Sequence, residues 1–289
     1  EDARAKRNDN SNALKQGKPT PEQIEKGKDL KEKVTALEQK LVPLQEDVDM
    51  LLGTLPNVHF DDVPVGGEEL SEEVGVFGNR ETGGIDHLDF AVKRDWVDFE
   101  RGAKVAGAKF YFLKGDLALL ENALTQYALN FMLQKGFTYM TVPNLVNTKT
   151  ARGAGFAPRT SEQSDEYFVE GEDLSLIATA EMPLTGYHAD EIIDEDKLPL
   201  QYVALSPCYR KEAGTYGKHT RGLFRVHQFN KLEMYMFALP EQSQALHEQI
   251  RAIEEEMWQS LGIPYHVINI ASGDLGAPAA KKYDIEYWS

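Results

Sequence analysis

The part of the sequence best equipped for chemistry runs from residue 206 to residue 237 and reads SPCYRKEAGTYGKHTRGLFRVHQFNKLEMYMF. Positive side chains gather there although the whole chain is acidic, with 31 Lys and Arg against 47 Asp and Glu and a net charge of −16. A local basic cluster inside a negative field indicates a discrete site for an anionic ligand and argues against a general affinity for nucleic acid or anionic membrane. The cluster comprises Arg210, Lys211, Lys218, His219, Arg221, Arg225, His227 and Lys231.

Two predicted strands, QYVALSPCYRKEA and LFRVHQFNKLEMYMF, flank the glycine-rich turn GTYGKHTRG in this stretch. Alternation would give the second strand one face of cations, an aromatic ring and a carboxylate, which suits a purine, phosphates and a cationic amine. Phe229 and Glu233 would lie about 13 Å apart at roughly 3.3 Å per residue, the scale of ATP plus a small group. Arg210 and Glu212 would share a face of the first strand. The second-strand face consists of Arg225, His227, Phe229, Lys231 and Glu233.

The same charges also fit the solvated face of an edge hairpin, and composition alone favours that interpretation. The residue order favours a site, because R-x-E is followed by a basic glycine-rich loop and then by F-R-x-H-Q-F-x-K-x-E. Cys208 is interpreted as a small core residue, and His227 as either a ligand contact or a structural imidazole. The remaining histidines show no metal-ligand spacing; they are His59, His87, His188, His247 and His266.

The elements that must position this site divide into residues 1–55 and residues 56–289. In the first region apolar residues recur at steps of three and four, the heptad spacing of a coiled-coil seam. TPEQ at residues 20–23 predicts a helix start with Thr20 as N-cap, and ARAKRNDNSN is a candidate antiparallel partner helix. Pro43 predicts a bend or break near Val42; the alternative is one helix packed on the protein's own core. The seam positions are Val34, Leu37, Leu41, Leu44, Val48 and Leu51.

The second region is predicted to be an α+β domain in which helices flank an antiparallel sheet containing the long hairpin at 201–238. FTYMTVPNLVN is predicted to be a strand ended by Pro143, and residues 240–261 an amphipathic helix closed by Gly262. Another helix is predicted between Asp116, as N-cap, and Gly136, with an apolar face that belongs to the core. That face consists of Leu117, Leu120, Leu124, Tyr127 and Phe131.

Composition narrows the class of protein further. The chain has 289 residues and 42% apolar content, enough to bury a large core. Its single cysteine excludes an internal disulfide and a multi-cysteine zinc site, and fits a cytoplasmic location. No stretch approaches the roughly 18 apolar residues of a membrane span, and the N-terminus carries no apolar signal region, so no membrane partner is expected.

The string YRKEAGTYGKHTRGLFRVHQFNKLE resembles motif 2 of class II aminoacyl-tRNA synthetases, and of the seryl-tRNA synthetase family in particular. Other resemblances cover most of the chain. LPNVHFDDVPVG is similar to the family's junction between coiled-coil arm and catalytic domain, GFTYMTVPNLVN to motif 1 of its dimer interface, IATAEMPL to its T-x-E loop, and GDLGAPAAKKYDIEYW to a late strand. The resemblance implies a class II catalytic domain at 56–289, a partial tRNA-binding arm at 1–55, and a homodimer.

The resemblance also implies the reaction. The serine carboxylate would attack the α-phosphorus of ATP to give seryl-adenylate and pyrophosphate, and the seryl group would pass to the terminal ribose of tRNA(Ser). ATP and Mg²⁺ would be the cofactors, with no metal ligand assigned to this chain. By resemblance, serine would be bound by Thr179, Ala180, Glu181 and Glu233, ATP by Arg210, Lys211, Glu212, Arg225, Val226 and Phe229, and catalysis would rest on Arg210 and Arg225.

The sequence departs from the family pattern at both ends. It stops at YDIEYWS, before the family's next strand with its metal- and ATP-binding glutamate and before motif 3, and it holds only part of the first arm helix. We therefore expect activity of the full-length protein and leave that of these 289 residues open. Alternatives are a catalytically inactive synthetase-like binding or regulatory protein and a coiled-coil scaffold. Contact with the tRNA acceptor end by Lys218, His219 and Arg221, and use of tRNA(Sec), also stay open.

Overall fold

The computed structural model describes residues 1–15, 19–80, 82–156, 165–212 and 222–288. Within these ranges the chain forms two compact units, Glu1–Val58 and His59–Ser289, which are described separately below. None of the helices in these ranges has the length and apolar character needed to cross a membrane.

The first unit is a helical hairpin made of α1 (Asp2–Leu14) and α2 (Pro21–Leu52). The predicted start of α2 is confirmed: the Thr20 hydroxyl accepts from the Gln23 amide, and the Gln23 side chain accepts from the Thr20 amide. The two helices are antiparallel, because Arg4 pairs with Glu38 at 2.8 Å while Asn10 donates to the Gln23 carbonyl. The predicted partner helix is therefore present.

The heptad seam is only partly covered in this unit. Val34 is buried, whereas Leu37 and the later seam positions are between 47% and 61% exposed. The helix does not break near Val42, since α2 continues through Pro43, and the predicted bend there stays a prediction. A proline removes one helical hydrogen bond, but the turns on both sides of Pro43 remain helical.

The second unit is built from small sheets with helices packed on them, as predicted for an α+β domain. The helices are α3 (His87–Lys93), α4 (Phe99–Ala106), α5 (Gly115–Gln134), α6 (Thr148–Gly153), α7 (Glu181–Tyr187) and α8 (Pro240–Ser260). The strands are β1 (Glu72–Phe77), β2 (Val97–Asp98), β3 (Phe112–Leu113), β4 (Thr138–Met140), β5 (Leu145–Asn147), β6 (Leu174–Leu176), β7 (Leu200–Tyr209), β8 (Gln228–Phe237), β9 (Tyr265–Asn269) and β10 (Tyr283–Tyr287). Strand order is β1-β9-β10 in one sheet and β4-β7-β8 in another, and the remaining strands form the pairs β2-β3 and β5-β6.

The sheet that carries the basic stretch is mixed. Strands β7 and β8 pair antiparallel from Leu200 with Phe237 to Tyr209 with Gln228, as predicted for the hairpin. Strand β4 instead pairs parallel with β7, and Pro143 separates it from β5, so FTYMTVPNLVN forms two short strands and not one. A proline cannot donate to a strand ladder, which accounts for the interruption.

One hydrophobic core cluster lies on one side of this sheet, and a second, which includes Leu184 and Ala204, lies on the side of Glu233. Even-numbered residues of β8 pack towards α5 and α8, beside buried Met132, Phe137 and Ile253. The odd-numbered residues Phe229, Lys231 and Glu233 therefore share the other face, as the period of two predicted. The β8 residues in the core are Leu232, Met234 and Met236.

Three predictions about these elements differ from the structure. Both strands of the hairpin are shorter than predicted, because the backbone leaves the extended region: β7 ends at Tyr209, and Glu212 has a left-handed φ of 51°. The apolar stripe of α5 is only partly core: Phe131 packs against the core, whereas Leu120 and Leu124 are 59% and 42% exposed. The helix also begins at Gly115 and not after Asp116.

Candidate functional site

The odd-numbered face of β8 meets the start of α7, and four polar side chains converge there. Thr179 is buried immediately before α7, and its hydroxyl donates to Glu233 Oε2 at 2.6 Å. Lys231 Nζ donates to the same hydroxyl oxygen at 3.0 Å and forms an ion pair with Glu233. The Glu181 amide also donates to the hydroxyl oxygen, at 3.2 Å. We call Thr179, Glu181, Lys231 and Glu233 the Lys231 cluster.

The electrostatics of this cluster are dominated by two neighbouring carboxyl groups. Burial, and secondly the negative charge of Glu233, raises the pKa of Glu181, while the charges of Lys231 and Arg210 oppose the increase. Two carboxylates that are partly removed from water favour a cation between them. The cluster therefore has the charge and the hydrogen-bonding groups to bind an ammonium ion.

Ala180 is a core residue beside this site. It is fully buried and is the N-cap of α7, so its methyl group faces neighbouring core residues such as Leu184 and Ala204. The predicted serine-binding residues Thr179, Glu181 and Glu233 are brought together by the fold, and Ala180 lies between the first two.

A cationic and aromatic pair lies further along the same strands. The guanidinium carbon of Arg210 is 5.1 Å from the centre of the Phe229 ring, and Arg210 Nε donates to the Ala178 carbonyl at 3.3 Å. An arginine stacked on an aromatic ring keeps its remaining donors available for an oxyanion. This pair offers a stacking surface and an anion-binding fork side by side.

Glu212 and Arg225 form the next contact, beyond the ends of both strands. Arg225 Nη1 lies 3.1 Å from Glu212 Oε2, and the Glu212 side chain is almost fully buried. The prediction assumed that the backbone is extended at Glu212. The backbone there is left-handed, so the side chain does not follow the alternation of a strand. The two residues meet as a pair, and not as members of strand faces.

The other predicted ATP residues have different surroundings. Lys211 Nζ lies 5.2 Å from the ring centre of Phe168, and Val226 is buried. His227 is held through Nδ1, 2.9 Å from the Arg210 carbonyl oxygen, and its own carbonyl accepts from the Arg210 amide at 3.1 Å. These contacts support the structural interpretation of His227. The loop residues Lys218, His219 and Arg221 lie outside the described residues.

Cys208 has the surroundings of a core residue. It is fully buried, and burial raises the pKa of its thiol, which keeps the side chain protonated and unreactive. Within the described ranges, no three His, Cys, Asp or Glu side chains are grouped so that they could hold a metal ion.

Sequence reasoning missed a second lysine-centred cluster. Lys281 Nζ donates to Asp62 Oδ2 at 2.6 Å and to Glu248 Oε1 at 3.1 Å, and its side chain is only 4% exposed. Tyr283 also donates to Glu248 Oε1, at 2.8 Å. We call Asp62, Glu248, Lys281 and Tyr283 the Lys281 cluster. Its members are far apart in the sequence, so no local pattern indicates it.

Comparisons with known proteins agree on one family. The model of the class II tRNA synthetase core domain (G, H, P, S and T) matches residues 166–289. The serine–tRNA ligase of Treponema denticola is 43% identical over 98% of this chain and 68% of its own length. The seryl-tRNA synthetase of Pyrococcus horikoshii, solved with ATP, aligns with a TM-score of 0.84 at 39% identity over 99% of this chain and 70% of that one. The cytoplasmic enzyme of Naegleria fowleri, solved with AMP, gives 0.81 at 30% identity over 99% and 68%. The chain thus spans about two thirds of the length of its curated relatives, 68% of one and 65% of another.

Proposed function

The chain belongs to the serine–tRNA ligase family of class II aminoacyl-tRNA synthetases, and from that premise we propose that its residues on β7, β8 and α7 activate serine with ATP. The products are seryl-adenylate and pyrophosphate, and the seryl group then passes to tRNA(Ser). The observation that carries the proposal is the Lys231 cluster, in which Thr179, Glu181 and Glu233 surround a primary ammonium group. An inactive, regulatory role has no observation in its favour among the described residues.

Serine would bind where Lys231 Nζ now lies. Its ammonium group carries the same charge and the same three donors as Nζ, so Glu233, Glu181 and the Thr179 hydroxyl can receive it. These groups would bind the ammonium group that every α-amino acid carries. The choice of serine is therefore proposed from the serine–tRNA ligase relatives.

ATP would bind along the second part of the site. The Phe229 ring stacks on the adenine, and Arg210 directs its guanidinium at the α-phosphate. Glu212 accepts a hydrogen bond from the adenine amino group, Arg225 lies beside the nucleotide, Val226 meets it through its backbone, and Lys211 adds positive charge. These assignments come from the family resemblance, and the contacts of Arg210 with Phe229 and of Glu212 with Arg225 support them.

No protein nucleophile is needed, because the substrate carboxylate attacks the α-phosphorus directly. The protein contributes by aligning the two reactants and by offsetting phosphate charge with Arg210 and Arg225. Mg²⁺ is proposed to accompany the phosphates of ATP. Such an ion is usually held by the phosphates with one or two carboxylates, and when bound it would offset phosphate charge.

The proposal predicts serine-dependent exchange of pyrophosphate into ATP by the full-length protein. Phe229→Ala should raise the KM for ATP roughly 5- to 150-fold, because loss of a stacking ring costs about 1 to 3 kcal/mol. Phe229→Tyr keeps the ring and serves as the control. Exchange that is faster with another amino acid than with serine would contradict the substrate assignment.

We also propose a homodimer, on the basis of the motif 1 resemblance and the exposed apolar stripe of α5. Leu120 and Leu124 are 59% and 42% exposed, which is unusual for a helix in a folded unit. Leu120→Asp should then give the mass of a monomer in sedimentation. Val105→Asp, on α4, is the control with an exposed apolar residue outside the stripe, and an unchanged mass for Leu120→Asp would refute this interface.

The tRNA and the cellular location are proposals of the same kind. The helical hairpin of the first unit is proposed to contact tRNA(Ser), with tRNA(Sec) as a second substrate to be compared in the same charging assay. Deletion of residues 1–58 should then weaken charging far more than pyrophosphate exchange.

A cytoplasmic location is proposed because the single cysteine is buried and free.

A further inference from the structure

The ammonium group of Lys231 lies among groups that the proposed function assigns to the substrate. Its Nζ is 3.0 Å from Thr179 Oγ1 and is ion-paired with Glu233. Its charge also acts on Glu181, the third group assigned to the substrate. Burial raises the pKa of Glu181, and the positive charge of Lys231 partly opposes that increase. An internal cation thus satisfies the groups that would otherwise face water or each other.

The hydrogen-bonding capacity of Thr179 is fully used in this arrangement. A hydroxyl group has one donor and two acceptor positions. The Thr179 hydroxyl donates to Glu233 at 2.6 Å and accepts from Lys231 Nζ and from the Glu181 amide. A further ammonium group can reach it only if one of these partners leaves.

Lys231 is the partner best able to leave. The Glu181 amide belongs to the first turn of α7, and Glu233 extends from the paired middle of β8, opposite Ala204. The Lys231 side chain is long and 34% exposed, so its charged end can return to water by rotation about its own bonds.

We propose that Lys231 is a placeholder cation, which occupies the substrate's ammonium position in the empty site and is displaced when the amino acid binds. The inference rests on the proposed function and adds a residue to it. Displacement lowers the apparent affinity for the amino acid, because only the fraction of molecules with Nζ withdrawn can bind it. In return, the two carboxyl groups are never left without a positive charge nearby.

The test uses two ligands that differ only at the ammonium group: a non-hydrolysable sulfamoyl analogue of seryl-adenylate, and the same compound without its amino group. Binding of both to the full-length protein is measured by calorimetry. The affinity for the compound with the amino group, divided by the affinity for the compound without it, should be about three- to tenfold higher in Lys231→Met than in the wild-type protein. Lys197→Met removes an equally charged but exposed lysine that pairs with Asp194, and should leave the ratio unchanged.

A purely structural role for Lys231 would weaken both ligands together and leave the ratio unchanged, which would overturn the inference. If the amino compound does not bind the wild-type protein at all, it is the proposed function that fails. If it binds and is preferred over the deamino compound, but the ratio does not rise in Lys231→Met, the inference alone fails.

A second measurement needs no variant. Acetylation of lysines by a water-soluble reagent is followed by mass spectrometry, with and without the amino compound. Displacement should increase labelling of Lys231, because its amine is released into water, while labelling of Lys197 stays constant. Unchanged or reduced labelling of Lys231 would overturn the placeholder role.

Discussion

The Lys231 cluster and the Lys281 cluster are built from the same parts and behave differently. Each sets one lysine against two carboxyl groups and a hydroxyl group. Lys281 is 4% exposed and donates directly to both Asp62 and Glu248. Lys231 is 34% exposed and forms an ion pair with Glu233 alone, while Glu181 lies nearby. The two clusters therefore differ in how deeply the lysine is buried and in how many carboxylates it contacts directly.

The pKa values of one carboxyl group in each cluster are shifted in opposite directions. Burial would raise the pKa of Glu248, but hydrogen bonds from Tyr283, Lys281 and Arg251 outweigh it and lower the pKa to about 2. Burial dominates at Glu181 and raises its pKa. In the Lys281 cluster both carboxyl groups are bonded directly to the lysine, whereas in the Lys231 cluster only Glu233 is. A deeply buried lysine with two direct partners fixes structure, and a partly exposed lysine with one direct partner can give way to a ligand.

The same substitution at the two lysines should separate these roles most clearly. Lys281→Met should lower the free energy of unfolding by about 2 to 3 kcal/mol, because it strips two carboxylates of a buried partner. The expected loss lies below the roughly 3 to 5 kcal/mol of a fully buried pair, because Asp62 and Glu248 are partly exposed. Lys231→Met should change the same quantity by less than about 1 kcal/mol. Urea denaturation measures both, and equal effects would refute the distinction.

The carboxylates should show the reverse pattern in activity. Glu233→Gln should raise the KM for serine about 10- to 150-fold, since a hydrogen bond to a charged group is worth about 1.5 to 3 kcal/mol. Glu248→Gln should leave that KM within about twofold and lower the unfolding midpoint instead. Pyrophosphate exchange and thermal denaturation test the pair. A serine KM that changes equally in both variants would contradict the assignment.

Glu254, on α8, supplies a third case, a carboxyl group with no ion-pair partner in the described ranges. It lines a cavity of about 530 Å³, and burial, then the charge of Glu233, raises its pKa to about 7. A raised carboxyl pKa means that the folded chain gains protons, and stability, as the pH falls from about 7 to 4.5. Glu254→Gln should therefore stabilise the 289-residue chain by about 2 kcal/mol at pH 8 and hardly at all at pH 5. A stabilisation independent of pH would contradict this origin.

The smallest expected effect concerns one hydroxyl group of the Lys281 cluster. Tyr283→Phe removes the hydrogen bond to Glu248 and should cost about 1 kcal/mol of stability. Because that bond helps to hold the pKa of Glu248 low, the variant should also lose stability at a higher pH on acidification, within the interval from about 4.5 down to 2. Acid titration followed by circular dichroism would show the shift.

The sequence allowed the face of β8 to be predicted because that pattern is local. Phe229, Lys231 and Glu233 are two residues apart, and a strand repeats every two residues. The ends of the strands were not predictable in this way, since they depend on the backbone angle of Glu212. The stripe on α5 was recognised as apolar, but helical period alone does not reveal what covers it.

The residues of the site were named from the resemblance, while their contacts came from the fold. Lys231 was placed on the right face, yet its role depends on Thr179, 52 positions away in the sequence. Lys281 meets Glu248 and Asp62 across 33 and 219 positions, respectively. No spacing rule reaches such distances, so long-range polar clusters had to be read from the structure.

The left-handed backbone at Glu212 has a consequence for anyone who engineers this chain. A residue with a side chain in that conformation costs roughly 1 kcal/mol or more, which glycine would avoid. Searches for more stable variants commonly favour such replacements, at the expense of strained functional positions. A screen for stability would select Glu212→Gly, although this change removes the buried carboxylate that pairs with Arg225. Thermostability selections on this protein should hold Glu212 fixed.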